Sequence, residues 1–352
     1  MKSIIKPMKR IQILIIFSFL MGNEAIAQCF DNTTVTITQT DCIPCDDQTW
    51  VLKFEDNFDR KELGSKNWEI PYQGVLAGYD FSNSGSKTWY ANTGSTPSLP
   101  PSNNIAIENG VLKLIARKES SPIAGKYVVN WGTNPPTKDS SSFQYSSAWV
   151  DSKGMLGYGK YEARIKIPTT KGIWPAFWLF NGENNHRYEI DIFEFWNETN
   201  CLNRYKKNRL SKNPHFTIHG DSINRGSSHC ADDMYPCYGN WGNSKIDYGK
   251  DFHVYALEWD YYKIIWYIDG EIVHSLYRFS GKGGEMIDCN NVELGAVYKV
   301  NESWPFTDKM TVRFNLAIQY NRNQYEAGSD SDFPSTMEVD YFRFYKKEQT
   351  RQ

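Results

Sequence analysis

From residue 50 onward the chain alternates short runs rich in Val, Ile, Tyr, Phe and Trp with clusters of Gly, Asn, Asp, Pro and Ser. Runs of that kind bounded by turn-forming residues predict β-strands, and their steady punctuation predicts an all-β sandwich or barrel. The predicted strands include 51–54, 111–116, 146–150, 158–167, 177–179, 189–195, 253–259, 264–268, 312–317 and 339–345. No convincing amphipathic helical period competes with them. Asp269-Gly270, between two apolar runs, predicts a hairpin, because that pair tolerates the positive φ of a tight turn.

The N-terminal segment follows a different pattern. Lys2, Lys6, Lys9 and Arg10 precede a mainly apolar run over 13–21, and Ala25-Ile26-Ala27 supplies a small-x-small cleavage pattern. The run is too short to span a bilayer, so residues 1–27 are expected to be a signal peptide and the mature chain to be secreted, periplasmic or extracellular. A lipoprotein anchored at Cys29 is the rival, disfavoured because Gln28 occupies a position that wants a small residue. Residues 28–47 are then a short Cys-bearing leader, 48–347 one catalytic-size domain, and 348–352 a tail. No later run reaches transmembrane length.

Composition narrows the class. The 39 Lys and Arg nearly cancel the 41 Asp and Glu, for a net charge of -2, which argues against an electrostatically driven nucleic-acid binder. An aromatic share of 15% belongs to a globular chain and not to a disordered one. Seven cysteines stand at 29, 42, 45, 201, 230, 237 and 289. In an oxidising compartment they are expected to form structural disulfides, three pairs leaving one over. Cys42 and Cys45 have redox-motif spacing, but no strand–helix unit surrounds them, so a loop staple is expected. Zinc is disfavoured because no His pair at ligand spacing accompanies the thiols. The irregular stretch 197–250 is the main insertion, and Cys201, Cys230 and Cys237 are expected to pin it.

The densest chemical signal is the run 188–196, Tyr-Glu-Ile-Asp-Ile-Phe-Glu-Phe-Trp. Alternation puts Glu189 and Asp191 on one strand face, with Ile190 and Ile192 on the other. Glu194 is out of phase by one residue, and a β-bulge near Ile192 and Phe193 would return it to the face of Glu189. The two Glu backbones would then lie about 13 Å apart. Their side chains would lean inward toward the roughly 5–5.5 Å that a retaining glycosidase needs. Crowded, partly buried carboxylates also repel, which raises one pKa and keeps a general acid protonated near neutrality. The bland alternatives are a solvated acidic edge strand or a cation site; the surrounding Ile, Phe and Trp argue against both.

These residues resemble the bulged active-site motif of glycoside hydrolase family 16. Context supports the likeness: 157–168 and 172–179 are similar to the family's two preceding strands, and 252–259, 266–270 and 337–345 to its later ones, in order and spacing. The resemblance implies a β-sandwich jelly roll of two antiparallel sheets with a concave substrate cleft, and retaining hydrolysis of a β-linked polysaccharide. It implies Glu189 as nucleophile, Glu194 as general acid/base and Asp191 as the residue that holds and tunes the pair. It places Trp174, ranked above Trp178, against the substrate, His219 near the acid/base, and Asn104 and Arg164 in the cleft. Trp196 is a further candidate, since sugar faces stack on indole; for it, Trp89 and Trp241 core packing is equally expected. No cofactor is required for the chemistry. A structural calcium is the one metal the likeness suggests, with Asp340 at the last-strand position and Asn57 departing from the pattern's usual Glu. A monomer is expected.

Two features bear on substrate. Trp174-Pro-Ala-Phe-Trp178 is similar to laminarinase-type members and favours neutral β-1,3(4)-glucan. Arg204, Lys206, Lys207, Arg209 and Lys212, with no acid among them, suit sulfate or carboxylate and point to a sulfated or agar-type galactan, unless the loop is only a solubilising surface. A non-enzymatic, lectin-like carbohydrate binder would need the aromatics but not both glutamates.

Overall fold

The computed structural model describes residues 30–38, 48–64, 66–70, 89–90, 104–130, 137–170, 173–183, 188–195, 214–219, 248–301, 304–318 and 332–349. In chain order the strands are β1 Phe30–Thr36, β2 Gln48–Asp56, β3 Trp68–Glu69, β4 Trp89–Tyr90, β5 Ile105–Glu108, β6 Val111–Asn130 and β7 Thr137–Ser147. They continue with β8 Trp149–Gly157, β9 Gly159–Lys166, β10 Ile173–Asn181, β11 Tyr188–Phe195, β12 Pro214–His219 and β13 His253–Trp259. The last are β14 Lys263–Ile268, β15 Glu271–Tyr277, β16 Phe279–Ser280, β17 Met286–Ile287, β18 Val297–Asn301, β19 Lys309–Ile318 and β20 Ser335–Gln349. Among the described residues no α-helix occurs, and none is long and apolar enough to cross a membrane.

The strands form an all-β sandwich, as the pattern predicts, and it is the jelly roll that the resemblance implies. A six-stranded sheet runs β12-β11-β10-β19-β8-β3, and a ten-stranded sheet runs β15-β14-β13-β9-β20-β6-β7-β4, with β2 added to β20 and β5 to β6. The pairings are antiparallel except β4 with β7. Period-two alternation makes the core. On β9, Tyr161, Ala163 and Ile165 are buried while the residues between them are half-buried. On β19, Met310, Val312, Phe314 and Leu316 turn inward. Phe177 of the six-stranded sheet stacks on Phe314 at 4.7 Å and meets Phe342 of the ten-stranded sheet edge-on at 6.2 Å. Burying each such ring contributes about 1.5–3 kcal/mol.

All ten predicted strand segments fall on strands, with one correction. The run 146–150 is broken at Ala148, where the chain leaves β7 in one sheet and enters β8 in the other. The hairpin holds: Asp269 and Gly270 have φ of 52° and 84° between β14 and β15. The leader is also more than a leader. β1 pairs with β18 in a separate four-stranded sheet, β1-β18-β16-β17, and Ile37 packs into a second cluster with Tyr262, Phe279, Ile287, Tyr298 and Val300. Cys289, the one cysteine among the described residues, flanks that cluster and is disulfide-bonded. The predicted signal segment, the other six cysteines and the basic stretch 204–212 lie outside the described residues.

Candidate active site

The register of β11 against its neighbours settles the face of each acid. Against β10, Glu189 lies opposite Phe180, Asp191 opposite Trp178 and Glu194 opposite Ala176, with a register shift between Trp178 and Phe177. Against β12, Asp191 faces Thr217 and Glu194 faces His215, with the shift again between them. One residue too many, beside Ile192, is therefore carried by β11. That is the expected bulge, and it leaves Ile192 and Phe193 both in the core while Glu194 returns to the face of Glu189 and Asp191. Phe180, Trp178, Ala176 and Trp174 follow one another at period two on that same face. Four strand steps from Phe180 to Ala176 correspond to about 13 Å between the two glutamate backbones. Asp191 stands between them, 1% exposed; both glutamates are half-buried.

The cleft face continues across β19 and β8. One cross-strand row reads Asp191, Trp178, Arg313, Asp151; the next reads Glu194, Ala176, Asn315, Trp149. Trp178 Nε1 donates to Asn315 Oδ1 at 2.7 Å, and its ring lies 5.4 Å from that of Trp149. Trp149 Nε1 donates to Asp151 Oδ1 at 2.6 Å. The Arg313 guanidinium, on a residue only 9% exposed, sits 4.8 Å from the Trp178 ring, 4.2 Å from Phe180 and 5.4 Å from Trp149. Its Nε is 3.2 Å from Asp151 Oδ2. Burial raises the Asp151 carboxyl to about 6; the arginine opposes that rise and Glu69 adds to it.

Arg313, Asp151, Asn315, Trp149 and Phe180 escaped the reading of the sequence. A signal was present: Thr311, Arg313 and Asn315 alternate with Met310, Val312, Phe314 and Leu316. That alternation marks a strand with one apolar and one polar face.

The other expected site residues are placed less simply. Trp174 and Trp178 share the face of the acids, both packed beside Trp149 and Ala317. His219 lies opposite Glu189 in register, so the position beside Glu194 is that of His215. Asn104 corrects an expectation. It is 1% exposed, and its amide donates to the Ile115 carbonyl at 2.7 Å and to Ser146 Oγ at 3.0 Å, bracing strands instead of facing a cleft. Arg164 is a second correction. Alternation along β9 turns it to the outer face of the ten-stranded sheet, away from the acids, where Nη1 donates to Asp340 Oδ2 at 2.7 Å. Its guanidinium also lies 4.6 Å from the ring of Phe252. That bond occupies the carboxylate expected to hold calcium, and among the described residues no three acidic, His or Cys side chains gather for a metal. Trp196 and Trp241 lie outside the described residues, as does the side chain of Trp89.

Comparison with known proteins follows this geometry. The family model for glycosyl hydrolases family 16 matches residues 101–304. The chain belongs to that family. It is 25% identical over 305 residues to glucan endo-1,3-beta-glucosidase A1 of Niallia circulans, covering 84% of this chain and 38% of that protein. It is 30% identical over 258 residues to beta-porphyranase C of Zobellia galactanivorans, covering 66% of this chain and 65% of that protein. Among family 16 structures, that of the endo-beta-1,3-glucanase from Pyrococcus furiosus superposes with a TM-score of 0.55 at 25% identity, covering 88% of this chain and 99% of that one. The chain thus spans well under half of the glucosidase it matches and about two thirds of the porphyranase.

Proposed function

We propose that this family 16 protein is an exported retaining endo-glycosidase that cleaves a β-1,3(4)-glucan of the laminarin type by double displacement. Glu189 is the nucleophile, Glu194 the general acid/base, and Asp191 sets the charge between them. The observation that carries the reading is the bulged register, which brings all three acids to one face with Trp174 and Trp178. On that face one carboxylate, ionised, attacks the anomeric carbon while the other, protonated, gives its proton to the leaving oxygen. Water then enters against the glycosyl-enzyme ester, and Glu194, now a carboxylate, takes its proton. Trp178, fixed by Asn315 and Trp149, offers a flat apolar surface on which a sugar ring stacks. Export rests on the charged start, apolar run and Ala-Ile-Ala pattern of residues 2–27.

The test is a reducing-sugar assay on laminarin with Glu189→Gln and Glu194→Gln, each expected to lose nearly all turnover while folding normally. Added azide should restore cleavage of an activated substrate by Glu194→Ala with retained configuration, since azide replaces the lost base. Wild-type-like turnover in either Gln variant overturns the assignment.

A second substrate reading is favoured by the porphyranase likeness: a sulfated or agar-type galactan. The same assay on porphyran, agarose and carrageenans, run at rising salt, separates the two. Sulfate held by exposed Arg and Lys would make cleavage salt-sensitive, because such contacts are screened over about 8 Å at physiological ionic strength. Salt-insensitive cleavage of laminarin alone retires the galactan reading, and the reverse pattern retires the glucan.

A further inference from the structure

The bulge that re-aims Glu194 interrupts the ladder of β11 and so frees backbone groups that a regular strand would pair. A backbone group at its edge is held from across the core. Trp266, on β14 of the ten-stranded sheet and fully buried, donates its Nε1 proton to the carbonyl oxygen of Asp191 at 2.7 Å. Asp191 is the last residue in register before the extra one, so the indole grips the strand at the point where it departs from regular geometry. The indole is itself held firmly. Its cross-strand neighbour is His274, also buried, with ring centroids 5.1 Å apart. Burial lowers the His274 pKa to about 4, so the imidazole stays neutral beside it.

We propose that Trp266 is a positioning residue: its N–H locks the β11 bulge and thereby holds Glu194 on the face of Glu189. The consequence rests on strand geometry. If the bulge relaxes toward regular pairing, the residues beyond it shift by one, and a one-residue slip turns a side chain to the opposite face. Glu194 would then point toward the core while Glu189 and Asp191, ahead of the slip, would stay in place. The loss would appear in catalysis more than in binding, because the aromatic face of β10 is untouched. The inference deepens the proposed function and depends on Glu194 being the acid/base.

A matched control lies in the same core. Trp259 on β13 is equally buried, and among the described residues its Nε1 has no hydrogen-bond partner. Trp266→Phe and Trp259→Phe therefore create similar voids, but only the first removes a hydrogen bond to the bulge. Both variants, with Glu194→Gln alongside, are assayed on laminarin, or on agarose should the wild type cleave that instead. Trp266→Phe is expected to lower kcat about tenfold or more with KM nearly unchanged, the scale of a lost buried hydrogen bond. Trp259→Phe is expected to lower the melting temperature comparably and leave kcat within about twofold of wild type. Should Trp266→Phe fail to fold, 3-benzothienylalanine at position 266 keeps the ring shape without the N–H and is expected to show the same kcat loss. Equal kcat in the two Phe variants, or full kcat with the benzothienyl ring, overturns the inference while leaving Glu194 in its role. An active Glu194→Gln enzyme instead overturns the proposed function itself.

Discussion

Asp151 and His274 make opposite contributions to stability across the same pH window, and Asp151→Asn should expose this. Burial raises the Asp151 carboxyl from 3.8 to about 6. Below pH 3.8 the group is protonated in both folded and unfolded chains. As pH rises toward 6 the unfolded chain releases its proton first, so native stability is lost over that interval. At 1.36 kcal/mol for each tenfold change in proton affinity, the loss is about 3 kcal/mol.

His274 runs the other way. Burial lowers it from 6.5 to about 4, so its contribution is full above pH 6.5 and disappears as pH falls toward 4, again by about 3 kcal/mol. In the wild type the two slopes nearly cancel. Asp151→Asn keeps an acceptor for Trp149 Nε1 and removes both the titration and the ion pair with Arg313. That pair forms only as Asp151 ionises, so its strength is already contained in the folded-state value and adds no separate slope.

Urea denaturation followed by tryptophan fluorescence at pH 4, 5, 6 and 7 measures the difference directly. Wild-type minus Asp151→Asn stability should fall by about 2.5 kcal/mol from pH 4 to pH 7, the rest of the loss lying below pH 4. His274→Gln should give a difference of the opposite sign, and the double variant should return to the wild-type shape, because the two sites lie on different sheets and add. A flat difference for Asp151→Asn would refute the reasoning.

Two further outcomes are expected. Trp178→Ala should raise KM on the cleaved polysaccharide roughly fivefold, since a lost aromatic stack is worth about 1 kcal/mol, and an unchanged KM would remove Trp178 from the cleft. Asp56 accepts bonds from both Arg60 Nη atoms and from Trp68 Nε1 at 2.7 Å each, and from the Phe58 amide at 2.9 Å. Asp56→Ala should therefore cost about 3–5 kcal/mol in urea unfolding with kcat per folded molecule intact, and a loss below about 1 kcal/mol would show that these bonds are replaced by water.

Legibility followed the range of the forces involved. Strands were readable because alternation of apolar and polar residues is local, and the bulge was readable because Glu194 breaks a phase that Glu189 and Asp191 establish within the same few residues. Asn104 and Arg164 were misplaced because their motif positions say nothing about sheet membership or about which face a strand turns inward. Arg164 sits among charged neighbours Glu162 and Lys166 at period two, and only the packing of Tyr161, Ala163 and Ile165 against the other sheet shows that this polar stripe lies on the far side of the molecule from the acids. The strand at Phe30–Thr36 was hidden for a similar reason, since its partner Val297–Asn301 lies more than two hundred residues away.

By itself, then, the sequence determined the all-β class, the hairpin at Asp269-Gly270 and the stripe of three acids, each of which depends on neighbours within about ten residues. The tertiary structure decided which strands share a sheet, and so which side chains share a face. It placed Arg313 and Asp151 in one row with Asp191, sent Arg164 to Asp340, and brought the Trp266 indole to the Asp191 carbonyl from a strand some seventy-five residues on. Pairing between strands carries no local signature, because any two extended segments offer the same ladder of N–H and C=O groups. The choice among partners is made by the complementary burial of whole faces, and that becomes definite only when the sheets close on one another.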